Sequence, residues 1–306
     1  MSRLYSIIEA NCVASSSAEV LIIAGETDER TIAASRIISE KPHSIKIVLL
    51  LEYDAFDDSN VRSIFPDALY YEIPVTSDPI SFLKALQQYR DTLLNHRLMV
   101  DITAIRVPEM FMLFKYLKLQ GKADTISVMY STPMEYEFQE EPFTSYHSYY
   151  GNLETIDIPG FGGMSSDMSH SQMLIFLGFE GVLSDKINEE IKYDSLKLVN
   201  NLPSLYEKYK DISVLNNYNL LASRHEKLSY VPANNPFEVY NFLSETLSEN
   251  ESACAAPLST KPVALGVCIY ALSHENLRVV YPTSDKYAPH RANSVHKTYM
   301  YSVEMV

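Results

Sequence analysis

The sequence has no tryptophan, and only three cysteines and nine glycines among its 306 residues. Cys12, Cys254 and Cys268 form an odd, widely spaced set without a Cys-x-x-Cys pair. That excludes a disulfide framework and a zinc site of finger type. Glycine clusters once, at Gly160-Phe161-Gly162-Gly163, where no strand precedes it and no helix opens after it. A dinucleotide fingerprint needs both. The chain also lacks a Gly-x-Ser-x-Gly elbow, a P-loop and a His-Glu-x-x-His helix, and its eight histidines are scattered. No cofactor and no metal are expected. Positive charge is short as well: 25 Lys and Arg face 39 Asp and Glu, a net charge of −14. A binder of long nucleic acid needs a basic face to displace counterions, so that class is excluded. A small anion such as a nucleotide, held in a locally basic pocket, is still allowed. No apolar run approaches the ~18 residues of a membrane span, and the N-terminus has no signal-peptide core. No membrane partner and a cytoplasmic location are therefore expected.

What the sequence does have is a regular alternation. Apolar runs of strand length occur at Glu19–Gly25, Ser44–Leu51, Tyr70–Pro74, Leu98–Asp101 and Ile126–Tyr130. Between them lie stretches of helical spacing, Thr31–Glu40 and Pro79–Arg90 among them, the second opened by an Asp78-Pro79 cap. Strands alternating with helices predict an α/β fold with a mostly parallel sheet covered on both faces.

The pattern then restarts. Leu21–Gly25 matches Leu174–Gly178 at an offset of 153 (174 − 21), and Ser44–Val48 matches Ser195–Val199 at 151 (195 − 44). Glu72-Ile73-Pro74 matches Tyr230-Val231-Pro232, Pro79 matches Pro236, and Tyr130/Tyr136 match Tyr281/Tyr287. Ordered matches of this kind predict an internal duplication: two tandem Rossmann-like units, one over 1–150 and one over 173–306, with a linker over 151–172. Tyr146–Tyr150 and Thr298–Val303 read as short strands closing their halves, the second an antiparallel edge strand.

In open parallel sheets ligands bind at the carboxyl ends of the strands. In the first half those ends carry Glu26, Thr27, Asp28, Glu29 and Arg30, then Ser77, then Asp101, Thr103 and Arg106. In the second they carry Asn234, Asn235, and Ser259-Thr260-Lys261. A hydroxyl and a guanidinium at a helix N-terminus suit a phosphate or carboxylate, and Ser259 to Lys261 repeat the pairing with a point charge. Read structurally, the same hydroxyls and Asn235 are helix caps. Tyr136 and Tyr287 are placed to stack on a base. Glu26, Asp28 or Glu29 with Asp101 could supply an acid–base pair for cleaving a glycosidic bond. The first turn of the second half, Phe179 to Leu183, is nearly apolar, so one working site, or one asymmetric site shared by the halves, is expected rather than two.

The turn Asp101-Ile102-Thr103-x-x-Arg106 resembles the ligand-binding motif of CRISPR-associated Rossmann-fold (CARF) sensor domains, with Ile105 in place of the family's glycine and Arg106 one position early. The resemblance implies a cyclic-oligonucleotide or nucleotide sensor in prokaryotic defence, acting through a separate protein partner. It assigns Asp101, Thr103 and Arg106 to the ligand, and Ser259, Thr260 and Lys261 more loosely. A nucleotide-processing enzyme and a non-catalytic scaffold are the alternatives.

Overall fold

The computed structural model describes residues 6–25, 28–53, 59–76, 78–136, 149–163, 171–224, 227–248, 252–284, 286–287 and 292–305. The chain forms two compact units, one of residues 1–137 with 291–306 and the other of 138–290.

Unit 1 runs β1 (Ser6–Glu9), β2 (Val20–Ala24), α1 (Arg30–Ser39), β3 (Ile47–Glu52), α2 (Ser59–Ile64), β4 (Leu69–Pro74), α3 (Pro79–Gln88), α4 (Arg90–Asn95), β5 (Leu98–Asp101), α5 (Val107–Leu119) and β6 (Ile126–Tyr136). Unit 2 runs β7 (Tyr149–Tyr150), β8 (Glu154–Asp157), β9 (Gln172–Phe176), α6 (Gly181–Glu190), β10 (Ser195–Asn201), α7 (Glu207–Asn216), α8 (Tyr218–Arg224), β11 (Ser229–Val231), α9 (Pro236–Thr246), β12 (Ala253–Pro257), α10 (Lys261–Ser273), β13 (Leu277–Thr283) and β14 (Lys286–Tyr287). The last strand, β15 (Ala292–Val303), belongs to unit 1.

Both sheets are mostly parallel, so the α/β reading holds. Unit 1 has the order β1-β15-β6-β5-β2-β3-β4 and unit 2 the order β11-β10-β9-β12-β13-β8. Each sheet has five parallel strands in matching order, followed by one antiparallel strand, β15 against β6 and β8 against β13. Shared order across two sheets is what a duplication predicts. In unit 1, Ile32, Ala34 and Ile38 of α1 and Val61 of α2 bury Leu21, Ile23, Val48, Leu50, Met99 and Met129 on one face. The alternate residues Ile22, Leu49, Val100 and Val128, also fully buried, face the opposite layer of α3 and α5. Helix α5 is apolar nearly all round and buried from Val107 to Phe114. In unit 2, α9 and α10 approach so closely that a Cβ on Gly266 would stand 2.4 Å from the Pro236 carbonyl oxygen.

Three expectations change. The expected second half ends too late: residues 292–303 pair with β6 in unit 1. Nor is β15 an edge strand, because β1 covers its outer side. The expected linker is not one throughout, since Glu154–Asp157 pairs with β13. Registers also shift two matches. Leu21 lies opposite Val48 and Leu174 opposite Lys197, so Val48 corresponds to Lys197 and not to Val199. Met99 lies opposite Ser127 and Ala255 opposite Val279, which sets Tyr130 against Pro282 and not Tyr281. Apolar runs slide past one another cheaply in sequence, whereas backbone pairing fixes one register.

Candidate functional site

The topological switch point of each sheet lies between its first and fourth parallel strands, where the crossovers part to opposite faces. These are β2 and β5 in unit 1, and β9 and β12 in unit 2. The two units treat this point differently.

In unit 2 the strands are zipped shut. Pairing runs from Gln172 with Ala253 to Phe176 with Pro257, and the Leu258 N–H continues it by donating to the Phe176 carbonyl. The turn after β9 is packed against this closure. A Cβ on Gly178 would lie 2.1 Å from the Leu258 carbonyl oxygen, and one on Gly181 1.8 Å from that of Asn216. The Ser213 hydroxyl and the Asn217 amide donate to the Gly178 carbonyl at 3.1 and 2.9 Å, and the Asn216 amide donates to that of Phe179 at 2.7 Å. The Asn201 amide, at the end of β10, donates to Ser259 across the end of β9. The Thr260 hydroxyl donates to the Ala233 carbonyl while capping α10. The Asn235 side chain caps α9 by accepting from Phe237 and Glu238. Ser259, Thr260 and Asn235 are therefore spent on the fold. Lys261 is the first residue of α10, and Asn234 sits one residue before the α9 cap.

In unit 1 the same strands part. The last β2–β5 pair is Ile22 with Val100, and β5 then leans to its other neighbour: Ile102 N–H donates to the Met129 carbonyl at 2.9 Å. The Asp101 carboxylate, on a residue 1% exposed, accepts the Thr103 N–H at 3.0 Å, forming an Asx turn. The Thr103 hydroxyl accepts the Ser131 N–H at 3.0 Å, pulling the turn toward β6. Thr103 is thus no helix cap, as α5 begins only at Val107. Arg106 occupies the N-cap position, with its guanidinium 4.4 Å from the centre of the Tyr53 ring and its N–H donated to the Tyr53 hydroxyl at 3.2 Å. Tyr53 follows β3, and β2 lies between β3 and β5, so this contact spans the C-terminal end of β2.

Charge at this point is mixed. Glu109 is buried in the first turn of α5, where the helix dipole favours a carboxylate, and Pro108 removes one of the N–H groups that would otherwise meet an anion. The position is thus less suited to a bare anion than its residue types imply. In the sequence Glu109 reads only as an ion-pair partner for the nearby cation, at what looks like an ordinary helix start. Its signal was an acidic residue next to Pro in an otherwise apolar helix. The unit 2 counterparts carry no such charge. Pro257 takes the place of Asp101, Thr260 that of Arg106, and Val263 that of Glu109.

The remaining first-half candidates divide. Asp28 and Arg30 form a buried ion pair at 2.8 Å with side chains 6% and 8% exposed. The Asp28 carboxylate also accepts the N–H groups of Arg30 and Ala292. Arg30 lies 5.2 Å from the centre of the Tyr136 ring. Burial alone would lower the Arg30 pKa, but Tyr136 and Asp28 outweigh it and raise it. Burial and the neighbouring Tyr136 likewise push the Tyr130 hydroxyl well above its usual range. Asp28, Arg30 and Tyr136 are brought together in one buried polar knot. Glu29 sits at the start of α1, with no side-chain cap bond. Glu26, Thr27 and Ser77 lie outside the described residues, as does the Tyr287 side chain; the Tyr287 backbone pairs with Tyr149. Among the described residues no group of three metal-ligating side chains occurs, and no helix is long and apolar enough to cross a membrane.

No family model and no curated protein matches the chain. Among solved structures it is similar to a functionally unknown protein from Pseudomonas aeruginosa PAO1, at 8% identity and a TM-score of 0.24, over 90% of this chain and 94% of that one. It is also similar to the cytoplasmic domain of a prokaryotic cation chloride cotransporter, at 10% identity and a TM-score of 0.25, over 88% and 96%. Likenesses this weak carry no argument about activity.

Proposed function

We propose that the chain is a nucleotide-binding sensor or regulatory subunit, similar in its logic to CARF domains, with its one working site at the parted ends of β2 and β5 in unit 1. The carrying observation is that parting: β5 leaves β2 after Val100 while β12 stays paired with β9 through Pro257. Open strand ends at a switch point are where α/β sheets take ligands. The lining selects within the class. Arg106 offers a guanidinium fork for a single phosphate, and the buried carboxylates of Asp101 and Glu109 on the same turn and helix start disfavour further negative charge. That combination fits a nucleoside monophosphate unit, free or within a cyclic oligonucleotide, better than a polyphosphate. A sensor of this kind acts in the cytoplasm and reports to a separate protein in a prokaryotic defence or signalling system. An acid–base enzyme is the weaker reading, because Asp28 is committed to Arg30 and Ala292.

Thermal unfolding with a panel of mononucleotides and cyclic oligonucleotides tests the proposal. A ligand at one hundred times its Kd stabilises the native state by about 2.7 kcal/mol. We expect at least one of the panel to raise Tm, and Arg106→Ala to remove that rise. A panel with no effect on Tm contradicts it.

A further inference from the structure

We propose that the chain consists of two repeats obligately joined by reciprocal exchange of their antiparallel strands. Each repeat, read by strand order, is five parallel strands followed by one that should turn back along its own sheet. Neither does. The strand after β6 that would close the first repeat is β8, and it pairs antiparallel with β13 in unit 2. The strand after β13 that would close the second repeat is β15, and it pairs antiparallel with β6 in unit 1. The short strands β7 and β14, at corresponding places on these two paths, pair with each other.

The exchanged strands are built into their hosts. β15 lies between β1 and β6, with Tyr301 and Val303 fully buried. Side chains fasten it: Ser131 and Thr298 share a hydroxyl hydrogen bond at 3.0 Å, and the Thr132 hydroxyl donates to the Lys297 carbonyl and accepts the Lys297 N–H. A register shift between Val295 and Thr298 and a positive φ of 61° at Ser294 fit this strand to β6. In unit 2 the Asp157 carboxylate of β8 pairs with Arg278 of β13, and Ile158 N–H donates to the Val279 carbonyl at 3.0 Å. Without β15, β6 would be left as a long apolar edge, a template for aggregation. The exchange also reaches the first turn after β2, because the Ala292 N–H of β15 donates to Asp28 at 3.0 Å. The second repeat therefore completes the polar knot at the start of α1.

A protease site inserted between Gly163 and Ser171 of the full chain, cut after folding, tests this. It severs the repeats after β8, so that only exchanged strands hold each sheet complete. The two fragments are expected to co-elute in native buffer at the volume of the intact chain, and to separate once denatured. Amides of 126–131 and 298–303 are expected to keep the hydrogen-exchange protection of the uncut protein. Fragments that separate in native buffer overturn the proposal. So do fragments that stay together while those amides lose protection, since they would be held by something other than strand pairing.

Discussion

The fourth-strand turns of the two units start from the same plan and end in opposite states. Both follow a parallel strand, both reach the N-terminus of a buried helix with Pro in its first turn, and both reach over the end of the first strand. In unit 2 the reach is a neutral contact from Asn201 to Ser259, and the backbone beneath it is paired through Phe176 and Pro257. In unit 1 it is a guanidinium on a tyrosine ring, over strands that have parted. A single proline accounts for part of the difference. Pro257 has no acidic side chain to form the Asx turn that Asp101 makes. Its successor's N–H goes to β9, where that of Ile102 goes to β6. A duplicated fold can keep its architecture in both copies while the strand ends at the switch point pair further in one copy than in the other.

The largest effect is expected from Arg30→Met, which strands the Asp28 carboxylate in a buried position. Loss of one partner from a buried pair costs about 3–5 kcal/mol, measurable by urea denaturation, and a change below ~1 kcal/mol would mean that the knot is not structural. Gly178→Ala comes next. Its Cβ would meet the Leu258 carbonyl oxygen at 2.1 Å, so backbone must shift, and overpacking of this kind costs about 1–3 kcal/mol. Gly162→Ala, with nothing within 4 Å of the added carbon, is expected to be nearly neutral. Equal effects of the two would reopen the zipped switch point. Thr103→Val leaves the buried Ser131 N–H without its acceptor, at a cost of about 1–3 kcal/mol. That variant should also weaken nucleotide binding more than Ser259→Ala does. The smallest effect is chemical. Burial pushes the Cys254 thiol up to about 12 and Cys268 is buried, whereas Cys12 is exposed. A thiol reagent near neutral pH should modify one cysteine of three in the folded protein, and rapid modification of Cys254 as well would show that β12 opens.

The sequence was a good guide to elements and a poor one to their partners. Apolar runs and Asp78-Pro79 placed β2, β3, β5 and α3 within a few residues, because burial on both faces and helix capping are local constraints. The destination of β15 was not legible: a Tyr-rich alternating strand closes either sheet equally well, and only pairing with β6 decides. At the site, Asp101, Thr103 and Arg106 were legible as residue types at a strand end. Their uses were not. Thr103 bonds to Ser131, 28 residues on, and Arg106 meets Tyr53, 53 residues back. Ser259 and Thr260 looked like a second copy of the same chemistry, yet capping and cross-turn bonds consume them.

The most direct test of a single working site compares Arg106→Ala with Lys261→Ala in a calorimetric titration, using whichever nucleotide or cyclic oligonucleotide raises Tm. One ligand-binding event per chain is predicted, abolished by Arg106→Ala and unchanged by Lys261→Ala. Two independent events per chain, or loss of binding in Lys261→Ala with Arg106→Ala unaffected, would contradict the account.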